Sequence, residues 1–571
     1  MTSNDAADFG AEQLLAGPDD RKAIAAALDH LAKDRIVQRI WSRDPTVWKS
    51  DPGHQKIISN ALGWLTVARA MRERLDEINE FRDAVRRDGF RHVLLLGMGG
   101  SSLCPEVLRR TFGRVAGYPE LLVLDSTVPA SIRAVERRID PATTLFIVSS
   151  KSGTTTEPQV FMEYFYDKVA RTSRADPGGN FVAITDSGTA LEQTGRERTF
   201  RRVFSNPADI GGRYSALSYF GMLPAALAGY DVAAMLDFAG SAMQACSAET
   251  NNPGAQLGAA LGTLALRGRN KLTFVVPPPI DSLGLWTEQL IAESTGKEGK
   301  GILPVAGEPL GNPDVYGDDR IFVYIGRPGP GGSEVEDRLR DLAGAGHPVI
   351  VRRLDDPRDL GSEFFIWEFA TAVAGALIGL DPFDQPNVQE SKDNTNRLLN
   401  AYVAEGTLHV SHLAPEVTWE RDDETNSRRG AAIQAAFNEF LNVVEPGHYV
   451  AIGAYIDETD EHDALLEELR LAIRDRFRVA TTVGYGPRYL HSTGQFHKGG
   501  PGIGVFVQIA FTDRDELAIP GRPYTFEILK EAQRLGDFEA LTGRSLPAIR
   551  FDLDGDVGAG LAEMIAAVSA K

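Results

Sequence analysis

Residues 91–102 read RHVLLLGMGGSS and residues 144–156 read TLFIVSSKSGTTT. Each is a short apolar run that stops in a Gly/Ser/Thr loop and gives way to a helical stretch. A continuous apolar run, rather than an alternating one, is the pattern of a strand covered on both faces, as in the parallel sheet of a βαβ unit. The same pattern recurs outward from these two: LLVLDS at 121–126, FVAITD at 181–186, KLTFVVPP at 271–278, IFVYIG at 321–326 and HPVIVRR at 347–353. The fold class read from this is α/β, doubly wound around parallel sheets.

Residues 11–85 instead carry apolar positions at spacings of three and four, as in AIAAALDHLA and ALGWLTVARAMRERLDEI, and read as helices. A helical stretch, AMLDFAGSAMQAC, separates two sets of strands and places a boundary near residue 235. The expected organisation is a helical N-terminal segment 1–45, α/β domains at 46–235 and 236–400, and a C-terminal α/β extension at 401–571. The last contains strand-like HYVAIGAYI, VATTVGYG and GVFVQIAF, and is either a third α/β unit or an elaboration of the second domain.

The chain has 571 residues, 43% of them apolar and 24% charged, which excludes disordered, collagen-like and coiled-coil classes. Its net charge of −19, without a basic cluster, argues against nucleic acid or an anionic membrane as partner. Two cysteines, Cys104 and Cys246, cannot build a disulfide framework or a multi-thiolate metal site and suit a reducing compartment. The acidic N-terminus shows no signal-peptide pattern, and the apolar runs are shorter than the ~20 residues of a membrane span. The expected location is cytoplasmic.

Several loops can carry chemistry. In LLLGMGGSSL, glycines let backbone N–H groups approach an anion and the serines add donors; position 102 is Ser, so the G-x-G-x-x-G dinucleotide pattern fails. In FIVSSKSGTTTEP, six hydroxyls and the Lys151 amine fall within eight residues at a helix start, a donor set suited to a phosphate monoester. NPADIGGRYSALS holds Arg213 behind two glycines, where a guanidinium can face an oxyanion. In LWTEQLIAESTGKEGKG, Gln289 and Glu293 share a helix face, and Glu293 can project into a cleft as a general base, while Glu288 and Glu298 read as ordinary solvated glutamates. Lys392 follows two prolines in DPFDQPNVQESK, and His491 lies in the Gly-rich GYGPRYLHSTGQFHKGG with no third ligand to make a metal site with His497.

In order, GMGGSS, SSKSGTT, GGRYS, EQLIAESTGK and DPFDQPNVQESK resemble the motif series of the glucose-6-phosphate isomerase family, built from two sugar isomerase (SIS) domains. The segment GYGPRYLHSTGQFHKGG resembles the long isomerase portion of bacterial transaldolase/glucose-6-phosphate isomerase fusions, although the chain has no room for a further barrel of ~250 residues. The resemblance implies a cofactor-free, metal-free homodimer that interconverts glucose 6-phosphate and fructose 6-phosphate through ring opening and an enediolate. It implies substrate-binding roles for Gly100, Ser101, Ser150, Lys151, Ser152, Thr154, Thr155, Gly212 and Gln289. Catalytic roles fall on Glu293 as the C1/C2 base, Arg213 beside the enediolate, and Lys392 near the ring oxygen or the O1 region. The family's ring-opening histidine lies downstream of the glutamate and often comes from the neighbouring subunit, yet no histidine occurs here between His92 and His347. His491 takes the role by its resemblance to an LHSMGQ-type motif, with Asp318 or Asp319 as the alternative. An isomerase of mannose 6-phosphate or a heptose phosphate, and a sugar-phosphate-sensing SIS protein lacking catalysis, are the competing readings.

Overall fold

The computed structural model describes residues 13–172, 176–327, 333–408, 416–419, 426–512, 516–553 and 556–569. Its strands are β1 (Gln13–Leu15), β2 (His92–Gly97), β3 (Glu120–Leu124), β4 (Thr144–Ser149), β5 (Phe181–Asp186) and β6 (Arg202–Asn206), then β7 (Lys271–Val275), β8 (Leu303–Val305), β9 (Arg320–Gly326) and β10 (Val349–Arg353), and finally β11 (Glu416–Trp419), β12 (Tyr449–Tyr455), β13 (Ala480–Tyr485), β14 (Gly504–Ala510) and β15 (Ala548–Leu553). They form three five-stranded sheets ordered β3-β2-β4-β5-β6, β1-β10-β9-β7-β8 and β11-β15-β14-β12-β13. All pairings are parallel except that of β1 with β10. The α/β fold with doubly wound parallel sheets is therefore the observed one.

Every continuous apolar run named above is a strand. The strands the runs did not reveal are those whose sequence is short or mixed: β6 is RVFSN, β8 is LPV and β15 alternates as AIRFDL. The N-terminal stretch is helical from Pro18 to Lys33, but ahead of that helix it supplies β1, an edge strand that the expectation of a purely helical segment missed. Three residues are too few to show a period.

The helices between the first two sheets share one core, which contains Trp64, Trp286, Trp367, Phe364 and Phe369. The helix Leu360–Ile378 corrects the reading that every apolar run is shorter than a membrane span. With its preceding turn it is long and apolar enough to cross a membrane by composition, yet 83% of that window is buried inside the fold. It packs on the helices Val232–Cys246 and Pro253–Leu266, which explains why it can be apolar all round. Among the described residues it is the only helix with this length and composition.

The third sheet has its own core, including Val450, Ile452, Leu469 and Phe551, closed by the helices Asn426–Leu441, Asp460–Phe477 and Val557–Ser569. One helix of this unit, Phe526–Thr542, turns the other way. It lies along the helix Val388–Glu405 and inserts Phe526, Leu529 and Leu535 into the core beneath the first sheet, beside Val160 and Phe161. The C-terminal unit is thereby fastened over the carboxyl ends of β2 and β4.

Candidate active site

In the first sheet the strand order reverses between β2 and β4, and their register sets Gly97 opposite Ser149. Loops leaving adjacent strands at such a reversal diverge and leave a crevice. Here the crevice lies between 97–102 and 149–156. Gly99 adopts φ +54°, and a Cβ there would stand 2.9 Å from both the Gln289 Nε2 and the His491 carbonyl oxygen. A Cβ on Gly100 would fall 2.1 Å from the Gly212 carbonyl oxygen. The missing side chains thus let four segments meet at one point. Gly212 itself is different, because nothing lies within 4 Å of where its Cβ would be; its carbonyl, not its lack of a side chain, makes the close approach.

Arg213 sits in the 3₁₀ turn Gly212–Tyr214 with 2% of its surface exposed. Its Nε donates to Ser294 Oγ at 2.8 Å, Nη1 to Gln385 Oε1 at 2.9 Å and Glu293 Oε2 at 3.2 Å, and Nη2 to the carbonyls of Pro382 at 2.7 Å and Asp384 at 2.8 Å. A guanidinium held on every side is a fixed positive charge. Glu293 and Gln289 lie four residues apart on the helix Leu283–Thr295, both buried, and Gln289 Nε2 donates to Glu293 Oε1 at 3.3 Å and to the His491 carbonyl at 2.8 Å. Burial pushes the Glu293 carboxyl above its ordinary range, with Arg213 and the Gln289 hydrogen bond opposing. A buried carboxylate with a raised pKa beside a fixed cation can serve as a general base facing a developing anion.

Just past this helix, Lys297 Nζ donates to the Asp381 carbonyl at 2.8 Å, the Asp384 carbonyl at 2.6 Å and Asp384 Oδ1 at 2.5 Å. Burial pulls its pKa down to about 8, and the nearby Arg213 pulls the same way. Lys297 and Arg213 together clamp the 381–385 turn that leads to Lys392. His54, Asp381 and Asp384 offer three atoms near enough to share a metal ion; here the Asp384 carboxylate is ion-paired with Lys297 and the Asp381 carboxylate lies 3.0 Å from the His54 Nδ1.

The hydroxyl-rich loop is internally bonded: Ser150 Oγ donates to Thr155 Oγ1 at 3.1 Å, and the Ser152 and Thr154 hydroxyls are 3.0 Å apart. Thr155 precedes the helix Thr156–Ala170, so the loop also has a helix N-terminus behind it. The Ser101 carbonyl accepts from Ser149 Oγ at 3.0 Å, joining the two loops. The Lys151 ammonium turns away. It is ion-paired with Asp186 and donates to the Ala208 carbonyl at 3.2 Å, so its side chain secures the loop to β5.

A cleft of about 250 Å³ opens beside this loop, lined by Thr154, Thr155, Glu157, Lys392, His491 and Gln533 among others. Lys392 is exposed in the first turns of the helix Val388–Glu405 and forms no ion pair with a described residue. The His491 Nε2 lies 3.1 Å from Glu157 Oε1. Burial works to raise the Glu157 carboxyl, but the charge and hydrogen bond of His491, its own backbone N–H and the Lys392 charge outweigh it and hold it below its usual range. Asp319 instead pairs with Lys271 at 2.9 Å, where β7 and β9 begin, and the carbonyl of adjacent Asp318 accepts from Arg269 at 2.7 Å.

The structure therefore gathers Thr154, Thr155, Lys392 and His491 around one cleft, and Glu293, Arg213 and Gln289 in a buried cluster joined to it by the Gln289–His491 contact. Sequence reasoning missed Glu157, Ser294, Gln385 and Gln533. Glu157 stood within the quoted loop, where an acidic residue in a first helical turn reads as a cap. The reading of Glu288 as solvated is also corrected. It faces a second cleft between the Glu293 helix and the C-terminal unit, and burial raises its pKa to about 7. Glu298 is exposed, as expected, and pairs with Lys49.

The phosphoglucose isomerase family model matches residues 46–276. Glucose-6-phosphate isomerase of Rubrobacter xylanophilus is 32% identical over 394 residues, covering 59% of this chain and 88% of that protein. This chain belongs to the glucose-6-phosphate isomerase family. The Symbiobacterium thermophilum member is 30% identical over 395 residues, covering 59% of this chain and 86% of its own. Among solved structures, a hypothetical protein of Thermus thermophilus superposes with a TM-score of 0.56 at 24% identity, covering 68% of this chain and 99% of that one. Glucose-6-phosphate isomerase of Chlamydia trachomatis superposes at 0.54 and 19% identity, covering 67% and 86%. These two likenesses concern the fold alone.

Proposed function

We propose that the chain interconverts glucose 6-phosphate and fructose 6-phosphate with the residues of this cleft and its adjoining cluster. One observation carries the reading: the buried Glu293 carboxylate lies 3.2 Å from the fixed Arg213 guanidinium, and the Gln289 that touches it also holds the His491 backbone at 2.8 Å. Base, oxyanion partner and ring-opening group are thus parts of one rigid assembly.

The phosphate monoester docks at Ser150, Ser152, Thr154 and Thr155 and at the N–H groups of the following helix start. Glu157 orients the His491 imidazole, which with Lys392 moves a proton between the anomeric hydroxyl and the ring oxygen and opens the ring. Glu293 then removes the C2 proton of the open-chain aldose, Arg213 stabilises the enediolate, the hydroxyl proton passes from O2 to O1, and Glu293 returns its proton to C1 to give the ketose. Anchoring the phosphate holds C1 and C2 beside the base throughout. The reaction needs no redox cofactor or metal ion, and the reading includes a cytoplasmic homodimer, supported by the family resemblance.

A coupled assay with fructose 6-phosphate in the presence of chelator tests this. Turnover is expected in the intact protein and about 10²–10⁴-fold less in Glu293→Gln, the usual contribution of a general base. Binding of fructose 6-phosphate without conversion by the intact protein would refute it in favour of a sensing role.

A further inference from the structure

The C-terminal unit does more than cover the cleft. Gln533 and Asp537 lie one turn apart on one face of the helix Phe526–Thr542, with relative exposures of 4% and 1%. Gln533 Nε2 donates to Glu157 Oε1 at 2.6 Å, and its Oε1 accepts from Thr127 Oγ1 at 2.7 Å. The Glu157 oxygen it grips is the one 3.1 Å from the His491 Nε2. Asp537 Oδ2 accepts from the Tyr489 hydroxyl at 2.7 Å, two residues before His491. Asp537 Oδ1 is 2.7 Å from Lys498 Nζ and 3.4 Å from Ser391 Oγ, the residue before Lys392. One helix face thus reaches the His491 turn, its carboxylate partner and the start of the Lys392 helix.

We propose that Gln533 and Asp537 are positioning residues for ring opening: Gln533 sets the Glu157–His491 pair, and Asp537 fixes the separation of His491 from Lys392. The proposal rests on the reading of His491 and Lys392 given above. Both act through the residues they hold, Gln533 through Glu157 and Asp537 through Tyr489, Lys498 and Ser391. The chemical identities fit the task. An amide donates to Glu157 while accepting from Thr127, which neither a carboxylate nor a second donor group does. The Asp537 carboxylate compensates the buried Lys498 and still has an oxygen for Tyr489. A proton shuttle works only within about 2.6–3.2 Å of its target, and a displacement near 1 Å can cost about 100-fold. Holding two shuttle groups from one helix face removes that freedom.

Ring opening and isomerisation can be read separately, as anomer interconversion and as C1–C2 conversion of glucose 6-phosphate, both by NMR exchange. Glu293→Gln is expected to keep anomerisation and lose isomerisation. Gln533→Leu, which preserves volume and removes both hydrogen bonds, is expected to lower anomerisation and kcat at least about tenfold. Its KM and its inhibition by inorganic phosphate should stay near those of the intact protein, while its melting temperature falls because the buried Glu157 and Thr127 each lose a hydrogen-bond partner. Asp537→Asn should act the same way if it folds; Gln533→Leu decides the matter if it does not. Anomerisation at the intact rate in Gln533→Leu overturns the proposal, and so does a loss of phosphate affinity parallel to the loss of kcat, which marks a general structural role. If the intact protein neither anomerises nor isomerises glucose 6-phosphate, the functional reading itself falls, a result distinct from both.

Discussion

A single glutamate shows how much the environment decides. Glu288 and Glu293 lie on the same helix and have the same intrinsic acidity, yet Glu293 meets Arg213 and Gln289 whereas Glu288 faces a cleft with Arg470 and Arg488 only at a distance. Because burial raises the Glu293 carboxyl, the acid limb of kcat should lie above the ordinary glutamate range near ~4.3, with activity rising as pH increases through it. A limb centred at the ordinary value would mean the base is another group. For Glu288, the folded pKa of about 7 exceeds the unfolded one, so the folded state binds the extra proton between them and loses stability as pH climbs from ~4.3 through 7. Glu288→Gln should therefore stabilise the protein at pH 8 by about 2 kcal/mol, a value reduced for the residue's partial exposure, with the gain vanishing near pH 4.5 in denaturant melts. Backbone contact is equally specific. Gly100→Ala forces a Cβ against the Gly212 carbonyl, 2.1 Å away in the present geometry, and should cost activity at least about tenfold by parting the loops. Full activity in that variant would show that the seam can widen freely. Residue identities such as Gly100 and Glu293 were legible in the sequence because motifs name them. The partners Glu157 and Gln533 were not, since residues 376 positions apart meet only through the tertiary fold.

Elements were readable where their pattern is uniform. The runs HVLLLG and TLFIVS are buried along nearly their whole length, and that is why they appear as continuous apolar stretches. The edge strand β1 and the three-residue β8 carry no period, and the helix Leu360–Ile378 concealed its length because Glu363 and Glu368 interrupt an otherwise apolar series. Glu363 is tolerated there because Arg352 binds it through two bonds, at 2.7 and 2.9 Å. The 381–385 turn shows an element held by charges that the sequence does not pair. Its carbonyls face Lys297 and Arg213, which are brought together by the end of one helix and the turn after β6. Removing one buried partner leaves the other uncompensated, at a cost of about 3–5 kcal/mol. Lys297→Met should lose stability of that order and lower kcat, because the turn also carries Gln385 to Arg213. Retention of both would mean that Arg213 alone holds the turn.

At the scale of the molecule, the sequence indicated three α/β regions but could not say how the third attaches. The attachment depends on Phe526, Leu529 and Leu535 entering a core built mostly from residues of the first sheet and its helices, such as Val160 and Phe161, far away in the chain, a consequence of shape rather than of local pattern. This docking places His491 over Gln289 and Gln533 against Glu157, all from one chain. Glu293, Arg213, Lys392 and His491 thus assemble without a contribution from a neighbour, and activity per chain should be independent of association. With a net charge of −19, copies of the chain repel one another more strongly as ionic strength falls, so dilution in low salt is the condition that favours separated chains. Turnover per chain should stay constant from micromolar to nanomolar protein under those conditions, while sedimentation or mass photometry reports the oligomer present at each concentration. Activity that declines in step with a dimer fraction would show that the second copy completes the site, and that the closure seen within one chain is not the catalytic one.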